Sequence, residues 1–409
     1  MENYNQLKER GYVYQTTDEN AVKDMLDNQK VTFYLGIDPT ADSLHIGHFV
    51  ALTLVRRLQK MGHKAIILVG GATALVGDPS GKKDLRKVLT EEQVTHNKQE
   101  VKELVKKFVD TEGDNPAIIV DNADWMTETY IDFLRRVGIH FNVNSMLDTD
   151  CYKNRLEEGG LTFLEMGYML IQANDFVHLN DTYGCQLEVG GSDQWANMVA
   201  GVTLSKKLDL LDNKNRNLQA LTVPLLLKAD GEKMGKTAKG ALWISKDRTS
   251  VYDFYQMFIN SYDEDVEKLL CFFSDYSVEE IKKMCKEDII KAKETMAYEV
   301  TKLVHGEEEA IQARDASREI FANRQNSSNM PSIVIDKSVV ENGVNILDLL
   351  VQTELVSSKS EGRRLIEQGG ICVNRERISD TNLIIDSSFI KEDSIILQKG
   401  KKIFLRVTF

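Results

Sequence analysis

The segment from Tyr34 to His48 constrains the fold most strongly, because it joins a buried strand, a sharp break and a helix start. The apolar run at 31–37 predicts a strand. Asp38-Pro39 ends it, since proline has no N–H to donate and keeps the preceding residue extended. Apolar residues at helical spacing then predict a helix over 45–61. Such a strand–turn–helix unit is typical of a parallel α/β sheet.

Two histidines, His45 and His48, fall three apart at the predicted helix start, and residues at this spacing share one helix face. Asp42 or Ser43 is the expected N-cap. A helix N-terminus favours anions, and Gly47 leaves room for a flat ring against the backbone. The pattern indicates a nucleotide-phosphate site, although a His-x-x-His pair by itself is more often a surface or core feature.

A second informative stretch lies nearly two hundred residues later, at 228–237. Asp230-Gly231 is a turn signal, and Lys233 and Lys236 follow it in a short loop that also contains Gly235. A mobile cationic loop suits a polyphosphate whose negative charge grows as it leaves. Considered alone, the same loop is more typical of a solvated basic surface.

Together the two stretches resemble the paired signatures of class I aminoacyl-tRNA synthetases. His45-Ile-Gly-His48 is the first signature, and Lys233-Met-Gly-Lys-Thr237 is a variant of the Lys-Met-Ser-Lys-Ser loop. Five further segments narrow the resemblance to the bacterial-type tyrosyl-tRNA synthetases, and it extends over essentially the whole chain. These segments are Tyr34-Leu-Gly-Ile-Asp-Pro-Thr40, Val69-Gly-Gly-Ala-Thr73, Gly77-Asp-Pro-Ser-Gly81, Tyr168-Met-Leu-Ile-Gln-Ala-Asn-Asp175 and Gly190-Gly-Ser-Asp-Gln-Trp195.

A chain of 409 residues is expected to form two to four domains. Strands at 31–37, 64–70 and 116–120 alternate with helices, which predicts an α/β domain over residues 1–230. It would be a doubly wound, Rossmann-like parallel sheet with ligands at the carboxyl ends of its strands. Residues 122–160 read as an insertion, and the resemblance implies that this region helps form the interface of a homodimer.

The remaining chain is expected to be a lysine loop with its connection at 231–247, an all-helical domain at 248–321 and a linker at 322–345. A small α+β RNA-binding domain would follow at 346–409. Ser277 and Glu280 match a capping box. The last 64 residues carry ten Lys or Arg against nine Asp or Glu, whereas the preceding residues carry 41 against 54. An RNA partner would therefore meet local basic patches.

Composition excludes several classes of protein. The five cysteines contain no Cys-x-x-Cys pair, which argues against a zinc ribbon or a disulfide framework and fits a reducing compartment. No apolar run reaches the length that spans a membrane, and the start of the chain has no apolar signal core. We therefore expect a cytoplasmic chain with no membrane partner and no metal bound by protein side chains.

The resemblance implies two-step chemistry that needs no protein nucleophile. The carboxylate of L-tyrosine attacks the α-phosphate of ATP, which enters as a co-substrate with Mg²⁺, and the tyrosyl group then passes to the 3′ end of tRNA(Tyr). Catalysis would rest on positioning and charge stabilisation. The implied catalytic residues are Thr40, His45, His48, Lys82, Arg86, Lys233, Lys236 and Thr237. The implied ATP-binding residues are His45, Gly47, His48, Gly191, Asp193, Lys233 and Lys236.

The resemblance also implies a pocket for tyrosine. Asp175 and Tyr34 would bind the phenol, and phenylalanine would leave Asp175 buried and unpaired, an argument for which tyrosyl-tRNA synthetases are the standard example. Tyr168, Gln172 and Asp175 follow at spacings of four and three, which places them on one helix face. The implied tyrosine-binding residues are Tyr34, Asp38, Asp78, Tyr168, Gln172, Asp175 and Gln194.

Three residues depart from the family pattern. Leu35 stands where the family usually has a cysteine near the ribose. Glu188 replaces a glutamine, and a second carboxylate near the pocket is expected to perturb neighbouring titrations or to weaken the packing behind Tyr168. Gly235 replaces the loop serine and is expected to make the loop more flexible. None of the three removes a group that the chemistry requires.

Three other functions compete with this interpretation. A tryptophanyl-tRNA synthetase shares the fold, but Tyr34 together with Asp175 favours tyrosine. A nucleotidyltransferase that makes a small dinucleotide would explain the histidine pair but not the last 160 residues. An RNA-binding or splicing factor built on this scaffold would be marked by a broken active site, whereas the key side chains are all present.

Overall fold

The protein is described by a computed structural model that covers residues 2–80, 89–237, 240–326, 332–374, 376–391, 394–400 and 403–409. The chain forms two compact units, Met1–Arg314 and Asp315–Phe409. Among the residues covered, no helix combines the length and apolar character needed to span a bilayer.

The first unit combines one large sheet with many helices. Its strands are β1 (Gln15–Thr16), β2 (Thr32–Ile37), β3 (Lys64–Val69), β4 (Ile118–Asp121), β5 (Cys185–Gly191), β6 (Gln219–Val223), β7 (Lys236–Thr237) and β8 (Gly240–Ala241). Its helices before residue 248 are α1 (Asn3–Glu9), α2 (Glu19–Asn28), α3 (Phe49–Lys60), α4 (Gly71–Val76), α5 (Glu91–Val105), α6 (Tyr130–Arg136), α7 (Val143–Leu147), α8 (Asp150–Glu158), α9 (Phe163–Tyr183) and α10 (Trp195–Asp212).

The sheet has the strand order β1-β6-β5-β2-β3-β4. All neighbours are parallel except β1, which pairs antiparallel with β6. The chain moves outward from β2 through β3 to β4, then crosses to β5 on the other side of β2. This confirms the predicted doubly wound sheet and places its switch point between β2 and β5, where ligands bind in such folds. The two-residue edge strand β1 was not predicted.

Strand β2 separates two layers of the core because its side chains alternate between the faces of the sheet. Phe33 and Leu35 pack in the large core that contains the α3 side chains. Tyr34 points to the other face, where its ring lies 5.3 Å from that of Phe176 in α9. Polar groups of β2 and β5 that share the Tyr34 face are therefore covered by α9.

The predicted helix start after β2 needs a correction. A 3₁₀ turn at Ile46–His48 precedes α3, and its N-cap is His45, whose extended backbone has φ −119°. The expected cap at Asp42 or Ser43 is wrong. The Ser43 hydroxyl instead accepts a hydrogen bond from the Ser245 N–H at 3.1 Å, so it holds a later segment of the chain.

The region after residue 248 is helical, as predicted, over the residues that the structure describes up to Arg314. Its helices are α11 (Val251–Ile259), α12 (Asp263–Phe273), α13 (Val278–Glu287), α14 (Ile289–His305) and α15 (Glu307–Asn326). The predicted capping box is confirmed. The Glu280 N–H donates to the Ser277 hydroxyl at 3.2 Å, and the Ser277 N–H donates to the Glu280 carboxylate at 2.7 Å.

The second unit is an α+β fold with its own core. Its elements after α15 are β9 (Ser332–Val334), α16 (Lys337–Glu341), β10 (Val344–Asn345), α17 (Ile346–Gln352), α18 (Lys359–Glu367), β11 (Ile371–Val373), β12 (Glu376–Arg377), β13 (Ile384–Ile385), β14 (Ser394–Lys399) and β15 (Ile403–Thr408). The main sheet has the order β12-β11-β14-β15-β9, and β9 is parallel to β15.

Part of the stretch predicted as a linker, residues 322–345, is therefore folded. Residues 332–345 form β9, α16 and β10, and the side chain of Ile335 lies in the core of the second unit. The sequence did not predict this, because an Asn- and Ser-rich run precedes the segment and the three residues of β9 are too few to show a strand pattern. The other predicted domain boundaries stay predictions.

Replacing Ile335 by alanine tests whether this stretch stabilises the second unit. Ile335 is 7% exposed and its N–H donates to the Thr408 carbonyl at 3.0 Å, so the change should cost about 2–4 kcal/mol. Hydrogen exchange of the amides in β15 should become faster. Val334→Ala is the matched control, because Val334 is 75% exposed. Equal exchange in the two variants would show that the predicted linker is not part of the core.

Candidate functional site

The two histidines are arranged by the turn between them. The Gly47 N–H donates to His45 Nδ1 at 3.0 Å, and the two imidazole rings lie 4.2 Å apart. A Cβ atom at Gly47 would lie 2.7 Å from His45 Cε1. Gly47 is therefore required for the position of the His45 ring itself, which is a more local reason than the space for a ligand that we expected.

The segment that follows the lysine loop pairs with this histidine turn. The Ile46 N–H donates to the Leu242 carbonyl at 3.1 Å, and the Ile244 N–H donates to the Leu44 carbonyl at 2.8 Å. The indole of Trp243 stands edge-on to the His45 ring at 6.0 Å. Two stretches nearly two hundred residues apart in sequence thus form one continuous backbone structure.

Gly235 of the lysine loop packs directly against the histidine turn. It has φ +89°, and a Cβ atom there would lie 2.0 Å from Ile46 Cγ2. We expected this glycine to add flexibility. The structure gives a different reason, since only glycine combines this backbone conformation with so close an approach. Lys233 is exposed beside buried Met234, and the backbone of 236–237 pairs with 240–241.

Five of the predicted catalytic residues lie in, or next to, parts of the chain whose side chains are not described, or make no contact with a described residue that tests their role. Lys82 and Arg86 lie outside the described residues, and for Lys236 and Thr237 only the backbone is described. Thr40 is exposed just beyond β2, where its N–H donates to the Asp38 carbonyl at 2.8 Å. The roles expected for these five residues stay predictions.

Asp175 is the most deeply buried carboxylate of the predicted tyrosine pocket, with 1% of its surface exposed. Asn122 Nδ2 donates to its Oδ2 at 3.0 Å, and Trp125 Nε1 donates to its Oδ1 at 2.8 Å. The indole of Trp125 is stacked on His178 at 4.3 Å. Burial raises the pKa of Asp175 to about 7, although both hydrogen bonds act in the opposite direction.

A chain of hydrogen bonds extends from Asp175 to the end of β2. Asn122 Nδ2 also lies 3.2 Å from the Thr73 hydroxyl, which donates to Asp38 Oδ1 at 2.6 Å. The Tyr168 hydroxyl donates to Asp38 Oδ2 at 2.9 Å. Hydrogen bonds therefore connect Asp38 with Tyr168 directly, and with Asp175 through Thr73 and Asn122.

Sequence reasoning missed Thr73, Asn122 and Trp125. Asn122 immediately follows β4, and Thr73 lies in α4 just after β3. The carboxyl ends of parallel strands meet at one edge of a sheet. Polar residues soon after a predicted strand were therefore the sequence signal for further residues of this site.

Tyr34 and Glu188 face each other across β2 and β5. They are paired in the strand register, so their side chains share one face of the sheet, and both are almost completely buried. Glu188 Oε1 accepts from Gln172 Nε2 at 2.9 Å. Among the described residues, neither the Tyr34 hydroxyl nor Glu188 Oε2 has a hydrogen-bond partner.

The titration of this pair follows from its burial. Burial raises the pKa of Glu188 to about 7, although Gln172 and Tyr34 act to lower this pKa. Burial, followed by the neighbouring Glu188, raises the pKa of the Tyr34 hydroxyl well above its ordinary value. The departure at Glu188 thus has the expected influence on neighbouring titrations. The other buried departure, Leu35, packs in the apolar core on the opposite face.

A third group lies at the carboxyl end of β5. Gln194 Nε2 donates to Asp78 Oδ2 at 2.7 Å, and the Ser80 N–H donates to Asp78 Oδ1 at 3.0 Å. Gly191 ends β5, and a Cβ atom there would lie 2.6 Å from Asp193 Oδ1. In the part of the chain that is described, no three His, Cys, Asp or Glu side chains are placed to hold a metal ion.

Comparison with known families agrees with this architecture. The sequence model of the family described as tRNA synthetases class I (W and Y) matches residues 26–322. The model described as the tyrosine--tRNA ligase SYY-like C-terminal domain matches residues 323–407.

Individual relatives narrow the comparison further. The chain is 46% identical to the tyrosine--tRNA ligase of Clostridium tetani, over 98% of this chain and 97% of the relative. It is 47% identical to tyrosine--tRNA ligase 1 of Clostridium acetobutylicum, over 98% of each chain. A crystal structure of a C-terminally truncated mitochondrial tyrosyl-tRNA synthetase from Aspergillus nidulans matches with a TM-score of 0.69 and 30% identity. That match covers 78% of this chain and 94% of the other. The chain belongs to the tyrosine--tRNA ligases, within the class I tRNA synthetase family.

Proposed function

We propose that this chain activates L-tyrosine with ATP, forming tyrosyl-adenylate and pyrophosphate, and then transfers the tyrosyl group to tRNA(Tyr). The single observation that carries the proposal is the buried carboxylate of Asp175, which is oriented by Asn122 and Trp125 just beyond the carboxyl end of β4. A buried acceptor of this kind selects a substrate that brings a hydrogen-bond donor. The phenol of tyrosine is such a donor.

The two ends of tyrosine would meet different groups. Asp175 accepts from the phenol, with the Tyr34 hydroxyl beside it. Asp38, Asp78, Tyr168, Gln172 and Gln194 surround the ammonium end. The carboxylates of Asp38 and Asp78 supply negative charge there, and Tyr168 and Gln194 are already hydrogen-bonded to them. This arrangement supports binding of a zwitterionic aromatic amino acid.

ATP would bind along the histidine turn, accompanied by Mg²⁺. His48, Gly47, Gly191 and Asp193 would hold the nucleoside. The donors aimed at the leaving phosphates would be Thr40, His45, Lys82, Arg86, Lys233, Lys236 and Thr237. The support is the backbone pairing of the histidine turn with the segment after the lysine loop, which keeps both motifs at one site. Electrostatic stabilisation of the leaving pyrophosphate would then drive the first step.

The second unit would serve the tRNA, because residues 323–407 match a tyrosine--tRNA ligase C-terminal domain. We further infer that the protein works in the cytoplasm. The reaction itself needs only ATP, tyrosine and tRNA, all of which are present there.

Amino-acid-dependent exchange of pyrophosphate into ATP tests the proposed activity. Tyrosine should support exchange, and phenylalanine should be poorer by several orders of magnitude, because it leaves Asp175 unpaired. Tryptophan should not support exchange, which separates this function from that of a tryptophanyl-tRNA synthetase. No exchange with tyrosine would falsify the proposal.

The pH profile of tyrosine activation tests the role of Asp175. Trp125→Phe removes the indole N–H that favours the ionised carboxylate, so the pKa of Asp175 should rise above about 7. The acidic limb of kcat/KM for tyrosine should move upward by about one pH unit, and activity should recover at alkaline pH. Trp195→Phe, which removes an indole that does not donate a hydrogen bond to Asp175 among the described residues, should leave that limb in place. An unmoved limb in Trp125→Phe would contradict the role of Asp175.

We propose that the protein is a homodimer, joined through an apolar surface formed by the insertion and the first residues of α9. Seven of the sixteen large hydrophobic side chains exposed among the described residues fall between positions 130 and 164. Four of them, Tyr130, Val143, Phe163 and Leu164, line a groove together with Phe133 and Phe141. Apolar patches of this kind mark interaction sites, and the family resemblance favours a second copy as the partner.

Placing a charge on this apolar surface should separate the subunits. Phe163 is 68% exposed, so Phe163→Glu should leave the fold intact but bury an unpaired carboxylate in a dimer. Light scattering should report half the mass of the unmodified protein. Leu210→Glu is the matched control, because Leu210 is 86% exposed and lies outside the apolar surface. Equal masses for both variants would place the interface elsewhere.

A further inference from the structure

The hydrogen-bond inventory of the phenol end contains more acceptors than donors. Asp175 already accepts from Asn122 and Trp125, and each of its oxygens retains a further lone pair. Glu188 adds a second carboxylate, which can only accept when it is ionised. The Tyr34 hydroxyl carries the one proton that must be shared with these acceptors.

Glu188 is the natural partner for that proton. The Tyr34 hydroxyl and Glu188 Oε2 are both buried and without a partner among the described residues, and their residues face each other in register. They lie close enough for each to affect the titration of the other. Rotating the hydroxyl toward the carboxylate satisfies two buried atoms at once, and leaving them unpaired would cost free energy.

Glu188 also restricts Gln172. Because an ionised carboxylate has no proton to donate, the NH₂ group of Gln172 faces Glu188 when Glu188 is ionised, in keeping with the bond of 2.9 Å from Gln172 Nε2 to Glu188 Oε1. The carbonyl oxygen of the same amide then points the other way, and it is the group suited to an ammonium ion. A single side chain thus orients polar groups at both ends of the proposed tyrosine pocket.

We propose that Glu188 is a specificity-determining positioning residue, which commits the Tyr34 proton to itself and leaves only acceptors facing the para position of the substrate. This inference rests on the proposed tyrosine pocket. A phenol brings one donor and can satisfy one of the two acceptors, the Asp175 carboxylate or the Tyr34 oxygen. A para-amino group brings two donors and satisfies both. The pocket should therefore accept aromatic amino acids with an aniline side chain as well as tyrosine.

Replacing Glu188 by glutamine reverses this polarity without changing the shape of the side chain. The glutamine carbonyl would accept from Gln172, so its NH₂ group would donate to the Tyr34 oxygen. The Tyr34 proton would then turn to the substrate. One donor and one acceptor would face the para position, which suits a phenol and not an aniline.

Pyrophosphate exchange with L-tyrosine and with 4-amino-L-phenylalanine tests the inference at pH 8, above the Glu188 pKa of about 7. The measured quantity is the ratio of kcat/KM for the amino analogue to that for tyrosine. Glu188→Gln should lower this ratio about tenfold, since one hydrogen bond is lost with the analogue and one is gained with tyrosine. Thermal unfolding of the same samples checks that the variant is folded.

Glu165→Gln is the matched control, because Glu165 of α9 is another buried glutamate and its carboxylate pairs with Arg155, which is not a predicted pocket residue. Its ratio should equal that of the unmodified protein. An unchanged or increased ratio in Glu188→Gln would overturn the inference while leaving the proposed function in place. Absence of exchange with tyrosine in the unmodified protein would instead overturn the proposed function.

Discussion

The interaction on which this site depends is the burial of an ionisable carboxylate, Asp175, against two fixed donors. A carboxylate removed from water is costly unless hydrogen bonds compensate it. Asn122 and Trp125 supply those bonds, and Trp125 is itself held by stacking on His178. Burial still prevails, so the pKa of Asp175 lies at about 7. A substrate that supplies a further hydrogen-bond donor stabilises the ionised form of Asp175. The stability of the pocket is therefore linked to its selectivity for such substrates.

Close packing around two glycines shapes the region where the histidine turn and the lysine loop meet. Gly47 and Gly235 are both positions at which a Cβ atom would collide with a neighbour, the His45 ring in one case and Ile46 in the other. The absence of a side chain at Gly235 lets the lysine loop pack against Ile46, and the segment after the loop forms the backbone hydrogen bonds to the histidine turn. Glycine at position 235 thus joins the two motifs, whereas its sequence context suggested only a flexible loop.

Glu188 shows how a small chemical change alters a pocket of unchanged shape. Exchanging an amide for a carboxylate leaves the volume almost the same but removes two donors. In a buried site this changes the direction of every hydrogen bond connected to it, here that of Gln172 and, in the proposed arrangement, that of Tyr34. Specificity in such a pocket is then decided by the balance of donors and acceptors as much as by size.

The sequence by itself determined the fold class and the two signature motifs, because periodicity and short motifs are local properties of the chain. Through the family resemblance it also predicted Asp38, Tyr168, Gln172 and Asp175 as site residues. It also determined the family, since the resemblance extends over nearly every segment. Only the tertiary structure decided that His45 caps its own turn and that Asn122, Trp125 and Thr73 support the carboxylates. The folding of residues 332–345 onto β15 and the pairing of Tyr34 with Glu188 were likewise tertiary outcomes. These features depend on strand order and side-chain contacts between distant segments, and no local pattern encodes which strands become neighbours.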